Sequence, residues 1–88
     1  MFRLWGKLIK NNKIINDMVV EDDSSETRTH KVFAAITTLC LTFDLSEPIW
    51  LKSNISEFKR LKRTRFTRDS FIDAVPFDYM EIQIIEED

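Results

Sequence analysis

The stretch from Ser25 to Phe43, SETRTHKVFAAITTLCLTF, restricts the fold more than any other part of the chain. Its large apolar residues Val32, Phe33, Ile36, Leu39, Cys40 and Phe43 fall at offsets 0, 1, 4, 7, 8 and 11. That is the spacing of one face of a helix, since a half-buried strand would alternate instead. Thr37 and Thr38 then point away from the core. The flanking segments must supply the surface on which this face packs. Asp23, Ser25 and Thr27 are all competent N-caps, Asp23-x-x-Glu26 has capping-box spacing, and Pro48 places the end of the helix near Asp44.

Before the helix, Phe2 to Lys10 and Lys13 to Glu21 read as a β-hairpin turning at Asn11-Asn12, because asparagine tolerates the positive φ that a two-residue turn needs. Continuous pairing from that turn puts Leu8 opposite Ile15, Leu4 opposite Val19 and Gly6 opposite Asp17. One face then carries Phe2, Leu4, Leu8, Ile15 and Val19, and is the better core face. The other carries Trp5, Ile9, Ile14, Met18 and Val20, apolar enough to be half covered by another segment or a partner. Gly6, the only glycine, marks a bulge or a close backbone approach.

After the helix, Ile49-Trp50-Leu51 is a short apolar run with the look of a brief strand. Ser53 or Asn54 caps a second, short helix, with Ile55, Phe58 and Leu61 turned inward. Its end is ambiguous, since Arg63 to Thr67 alternates in a way that also suits a strand. Asp69 to Pro76 is irregular. Phe77 to Glu86 reads as a long strand with Met80, Ile82 and Ile84 buried and Tyr79, Glu81 and Gln83 on the more exposed side. The expected fold class is α+β, with an N-terminal hairpin, one main amphipathic helix, a short second helix and a C-terminal strand in one antiparallel or mixed sheet, the helices on one face.

The chain has 88 residues, 43% hydrophobic and 32% charged, which bounds it to one small globular domain, residues 1–88. A domain of this size buries only about 60–65% of its unfolded surface, so self-association as a homodimer is open. The single cysteine, Cys40, cannot close an intrachain disulfide or build a cysteine zinc site, and it lies on the apolar helix face as a small hydrophobe. The opening MFRLWGKLIKNNK lacks the apolar run and cleavage site of a signal peptide, and no stretch approaches the ~18 apolar residues of a membrane span. A cytoplasmic protein without a membrane partner is the expectation.

The segments MFRLWGKLIKNN, FDLSEPIWLKSNISEF, TRFTRDSF and FDYMEIQIIEED resemble short, uncharacterised bacterial proteins of about this length. The resemblance spans nearly the whole chain. It implies a bacterial, cytosolic, single-domain protein and carries no activity, cofactor or catalytic residue with it.

No motif carries chemistry. There is no G-x-S-x-G elbow, and one glycine cannot make a phosphate-binding loop. His30 has no second ligand at metal spacing and pairs most simply with Glu26, four residues earlier. His30 and Cys40, ten residues apart on one helix, are about 15 Å from each other and cannot form a dyad. The reading is therefore not an enzyme and no cofactor or metal.

The strongest anomaly is charge segregation. Lys59, Arg60, Lys62, Arg63, Arg65 and Arg68 form a block without an acid, and Asp69, Asp73, Asp78, Glu81, Glu86, Glu87 and Asp88 follow without a base. The blocks either neutralise each other or leave a phosphate-binding patch, with Phe58 or Phe66 stacking a base. Trp5, Trp50 and Tyr79 are either core edges or an interaction hot spot. The leading expectation is a non-enzymatic interaction or accessory protein that binds another protein or itself, with Trp5, Ile9, Ile14 and Met18 as a candidate surface. The alternative is a nucleic-acid or anion binder using the basic block.

Overall fold

Asn11 and Asn12 both take left-handed backbone, with φ of 52° and 63°. This is the two-residue turn whose twist matches a hairpin. It joins β1 (Phe2–Lys10) to β2 (Lys13–Asp22) in a computed structural model that describes residues 1–87. Asp88, counted above in the acidic block, lies outside the described residues.

The hairpin departs from continuous pairing within one turn. Lys10 pairs with Lys13 and Ile9 with Ile14, but Leu8 pairs with Asn16, which leaves Ile15 as an extra residue in a β-bulge. A one-residue slip moves every following side chain to the other face. Gly6 therefore faces Met18 rather than Asp17, and Leu4 faces Val20 rather than Val19. The expected core face is corrected accordingly. Met18 and Val20 pack against the core, while Ile15 and Val19 are 51% and 43% exposed.

The sheet has four strands in the order β2-β1-β4-β3, all antiparallel, where β3 is Arg63–Thr67 and β4 is Tyr79–Glu86. Alternation decides which side each residue serves. Phe2, Leu4 and Leu8 of β1, Thr64 and Phe66 of β3, and Met80, Ile82 and Ile84 of β4 are all buried. Phe77 is buried too, but it lies before the strand and sets its ring edge-on to Phe71, 5.5 Å between centroids.

Helix α1 (Arg28–Phe43) covers this face. Thr27 caps it, its hydroxyl accepting the His30 N–H at 3.3 Å, and Asp44 ends it in left-handed backbone at φ 58°. Val32, Ala35, Ile36, Leu39 and Cys40 are buried, and Thr37 and Thr38 point outward as the spacing predicts. Phe33, expected on the same buried face, does not join them: it is 49% exposed. Leu39 lies directly over Gly6, where a Cβ would come within 2.5 Å of its Cδ1. The glycine is there for close approach of helix to strand.

Helix α2 (Lys52–Leu61) begins from Leu51, not from Ser53 or Asn54. Asn54 instead sits one turn in, buried, with its Oδ1 accepting the Leu51 N–H at 3.1 Å and its Nδ2 donating to Thr64 Oγ1 and the Arg65 carbonyl, both at 2.9 Å. One amide thus closes the helix start and fastens α2 to β3. Phe58 turns inward, while Ile55 and Leu61 stay exposed, contrary to the expectation from their spacing. Residues 49–51 form no strand: Leu51 is extended, and the Ile49 N–H donates to the Ser70 carbonyl at 2.7 Å. No helix among the described residues is long and apolar enough to cross a membrane.

Candidate functional site

Phe33 is a large aromatic on the outer shoulder of α1, and its ring meets Trp50 edge-on at 6.1 Å. Trp50 in turn meets Phe58 at 5.5 Å and Phe66 at 5.0 Å, both edge-on. Edge-to-face contacts of this kind add attraction beyond simple burial and hold the rings in fixed orientations. Trp50 is the hub: it comes from the segment between the helices and joins both to β3.

Around this hub lies a cleft of about 320 Å³ between the start of α1 and the middle of α2. Val32, Phe33, Trp50, Ile55 and Phe58 form its apolar floor and walls, and Arg28 and Lys59 stand at it as its two charged residues. Arg28 places its guanidinium 5.8 Å from the Phe58 ring centroid and 3.7 Å from the Glu87 carboxylate. Half-exposed large hydrophobes from three separate segments converge on one concavity.

Of the candidate surface Trp5, Ile9, Ile14 and Met18, the first three share the open sheet face, with Ile14 50% exposed, and Met18 leaves it. The bulge turns Met18 toward the helices, and Ile9 is buried between Ile14 and Tyr79 in register. Trp5 remains on the open sheet face, its indole N–H donating to Asp17 at 2.8 Å and Lys7 lying 3.9 Å over its ring. The charged groups of that face are mostly paired with one another. Glu81 holds Lys7 at 2.7 Å and Arg65 at 3.1 Å, Arg3 lies 2.9 Å from Glu21, and Arg65 covers the Tyr79 ring at 4.8 Å.

The basic block divides. Lys62 faces Glu87 at 3.4 Å, Arg65 faces Glu81, and Arg68 faces Asp78 at 3.3 Å while donating to the Phe77 carbonyl at 3.0 Å. Lys59, Arg60 and Arg63 make no ion pair among the described residues. Lys59 and Arg60 lie in the last turn of α2, where the helix dipole favours cations, and Arg63 points outward from β3. The six do not make one continuous phosphate-facing surface of free cations.

His30, in the first turn of α1, pairs at 3.0 Å with Glu26, which precedes the helix. Cys40 is buried in the core, where loss of solvent, with a smaller contribution from the charge of Glu47, pushes its thiol up to about 11. No group of three His, Cys, Asp or Glu side chains among the described residues has the arrangement to hold a metal ion.

The cleft was not legible in the sequence, because its walls come from residues 28–33, 50 and 55–59 and only the fold unites them. The sequence does single out Trp50 as a core edge or a hot spot, but it groups Trp50 with Trp5 and Tyr79 and places Phe33 and Ile55 on the inward helix faces. No protein-family model, curated protein or solved structure matches the chain.

Proposed function

We propose that this chain is a non-enzymatic interaction module, a small cytoplasmic accessory protein that docks a partner protein in the α1–α2 cleft. The observation that carries this reading is the half-exposure of Phe33 and Ile55 beside the Trp50 hub, on a domain whose other large aromatics, the phenylalanines above all, are mostly enclosed. Aromatic anchors in a concavity are where interfaces concentrate their binding energy.

Two other readings have less behind them. Self-association through β2, an edge strand, meets the bulge at Ile15 and the charged Asp17, devices that discourage edge-to-edge pairing. Nucleic-acid binding through the basic block would have to compete with the acids already facing Lys62, Arg65 and Arg68.

The test is selection of binders from a displayed peptide library, followed by amide chemical-shift mapping of a selected peptide. Perturbations at residues 28–33 and 50–59, lost in Phe33→Asp, support the reading. A footprint on the open sheet face, or binding indifferent to Phe33→Asp, overturns it.

A further inference from the structure

Both charged side chains that line the cleft are cations. Lys59 has no ion pair among the described residues. Arg28 opens α1 in a first turn that also holds His30 and Lys31 and no acid. This is the reverse of what helix stability asks for, since the positive end of a helix favours carboxylates and is weakened by cations. The buried face of α1 begins at Val32, and the first-turn contacts Arg28 makes, with the Phe58 ring at 5.8 Å and the Glu87 carboxylate at 3.7 Å, are both at long range. His30 is answered by Glu26 at 3.0 Å, which leaves Arg28 and Lys59 as the cations beside the apolar floor, and the carboxylate at Arg28 is one the chain itself brings.

From this we infer the chemistry of the partner: an acidic amphipathic helix, its large apolar side chains seated on Phe33, Trp50 and Ile55 and its flanking Asp or Glu residues paired with Arg28 and Lys59. A helix fits better than a strand. The walls are themselves helices, whose middle turns offer no unpaired backbone groups for strand addition, whereas an incoming helix satisfies its own backbone and needs only a groove. The cations select acidic over neutral or basic partners and speed encounter. Glu87, already at Arg28, is the group that such a ligand displaces.

This inference rests on the cleft being the docking site, and one experiment separates the two. A library of helical peptides, randomised at apolar and flanking polar positions, is selected in parallel on the wild type, on Arg28→Gln with Lys59→Gln, and on Phe33→Asp. The expected outcome on the wild type is enrichment of large apolar residues together with flanking Asp and Glu. The double variant then loses the acidic enrichment and keeps the apolar one, and its affinity for a selected acidic peptide falls about tenfold or more, with a weaker salt dependence than the wild type. Apolar enrichment without any acidic bias overturns the inference and leaves the cleft reading standing. Peptides that survive Phe33→Asp overturn both. Displacement of a selected peptide by a duplex oligonucleotide, with the double variant binding neither, overturns the choice of an acidic helix in favour of a polyanion. Matching urea midpoints of the variants and wild type exclude unfolding as the cause.

Discussion

Lys7 Nζ lies 2.7 Å from the Glu81 carboxylate on the sheet face that no helix covers, yet the two side chains are only 11% and 13% exposed. Trp5 beneath Lys7 and Arg65 over Tyr79 supply the shielding. Burial pushes the Glu81 carboxyl up, but the hydrogen bonds and charges of Lys7 and Arg65 outweigh it and hold the group below its ordinary range. A carboxyl whose pKa is depressed by folding stabilises fully above its unfolded pKa and stops doing so as pH falls through the folded value. Glu81→Gln should therefore cost about 1–3 kcal/mol at neutral pH, through lost charged hydrogen bonds. The gap to wild type should close in acid. Urea melts across pH 7 to 3 check this, and a gap that stays constant with pH would refute it.

Ile36 and Phe33 are neighbours on the apolar side of α1, but only Ile36 is enclosed. Ile36→Ala should lose about 2–5 kcal/mol through burial and a cavity. Phe33→Ala should lose about 1 kcal/mol, as its ring gives up little beyond the contact with Trp50. Thr37→Ala and Thr38→Ala should change stability by under about 0.5 kcal/mol. Equal losses at 33 and 36 in chemical denaturation would contradict the placement of Phe33 at the cleft.

Gly6→Ala should destabilise by about 1–3 kcal/mol, because the added methyl meets the fully enclosed Leu39 side chain. Pairing the change with Leu39→Ala should recover part of the loss that the two substitutions would cause separately. A double-mutant cycle measures this coupling, and strict additivity would show that the strand and helix do not meet there.

The Cys40 thiol, pushed up to about 11 and enclosed by the core, should resist alkylation in the folded protein and react at once in denaturant. Mass spectrometry after timed exposure to iodoacetamide reads this directly. Rapid labelling under native conditions would mean that α1 opens locally.

The features that could be read in the residues were those set by local periodicity. Asn11-Asn12, the span of α1 and the alternation of Met80, Ile82 and Ile84 each declare themselves within a few positions. Ile15 did not, because a bulge is an insertion relative to a partner strand and depends on what β1 presents opposite it. Its consequence travelled along the whole strand and misplaced Met18 and Val19 together. Asn54 was read as a helix cap, but its hydrogen bonds reach Thr64 and Arg65, ten and eleven positions on. The periodicity of α1 gave the direction of its apolar face and not the width of the layer that covers it, which is why Phe33 was placed inside. Charge counting found the two blocks, but only strand register told Arg65 from Arg63: both point outward from β3, and Glu81 stands opposite the first and Gln83 opposite the second.

The position of β4 sets a clock on the making of this protein. It follows the other three strands in sequence, yet it lies between β1 and β3. A ribosome delivering about 5–20 residues per second leaves the hairpin waiting several seconds for its neighbour. Throughout that interval one edge of β1 stands open, and a lone hairpin is at best marginally stable. The sheet therefore cannot assemble from its N-terminus onward. The second edge of β1 and all of β3's pairing wait for the segment after residue 78, since β3 pairs only with β4. A nascent chain stalled before that point presents apolar strands without a centre, the state that chaperones bind.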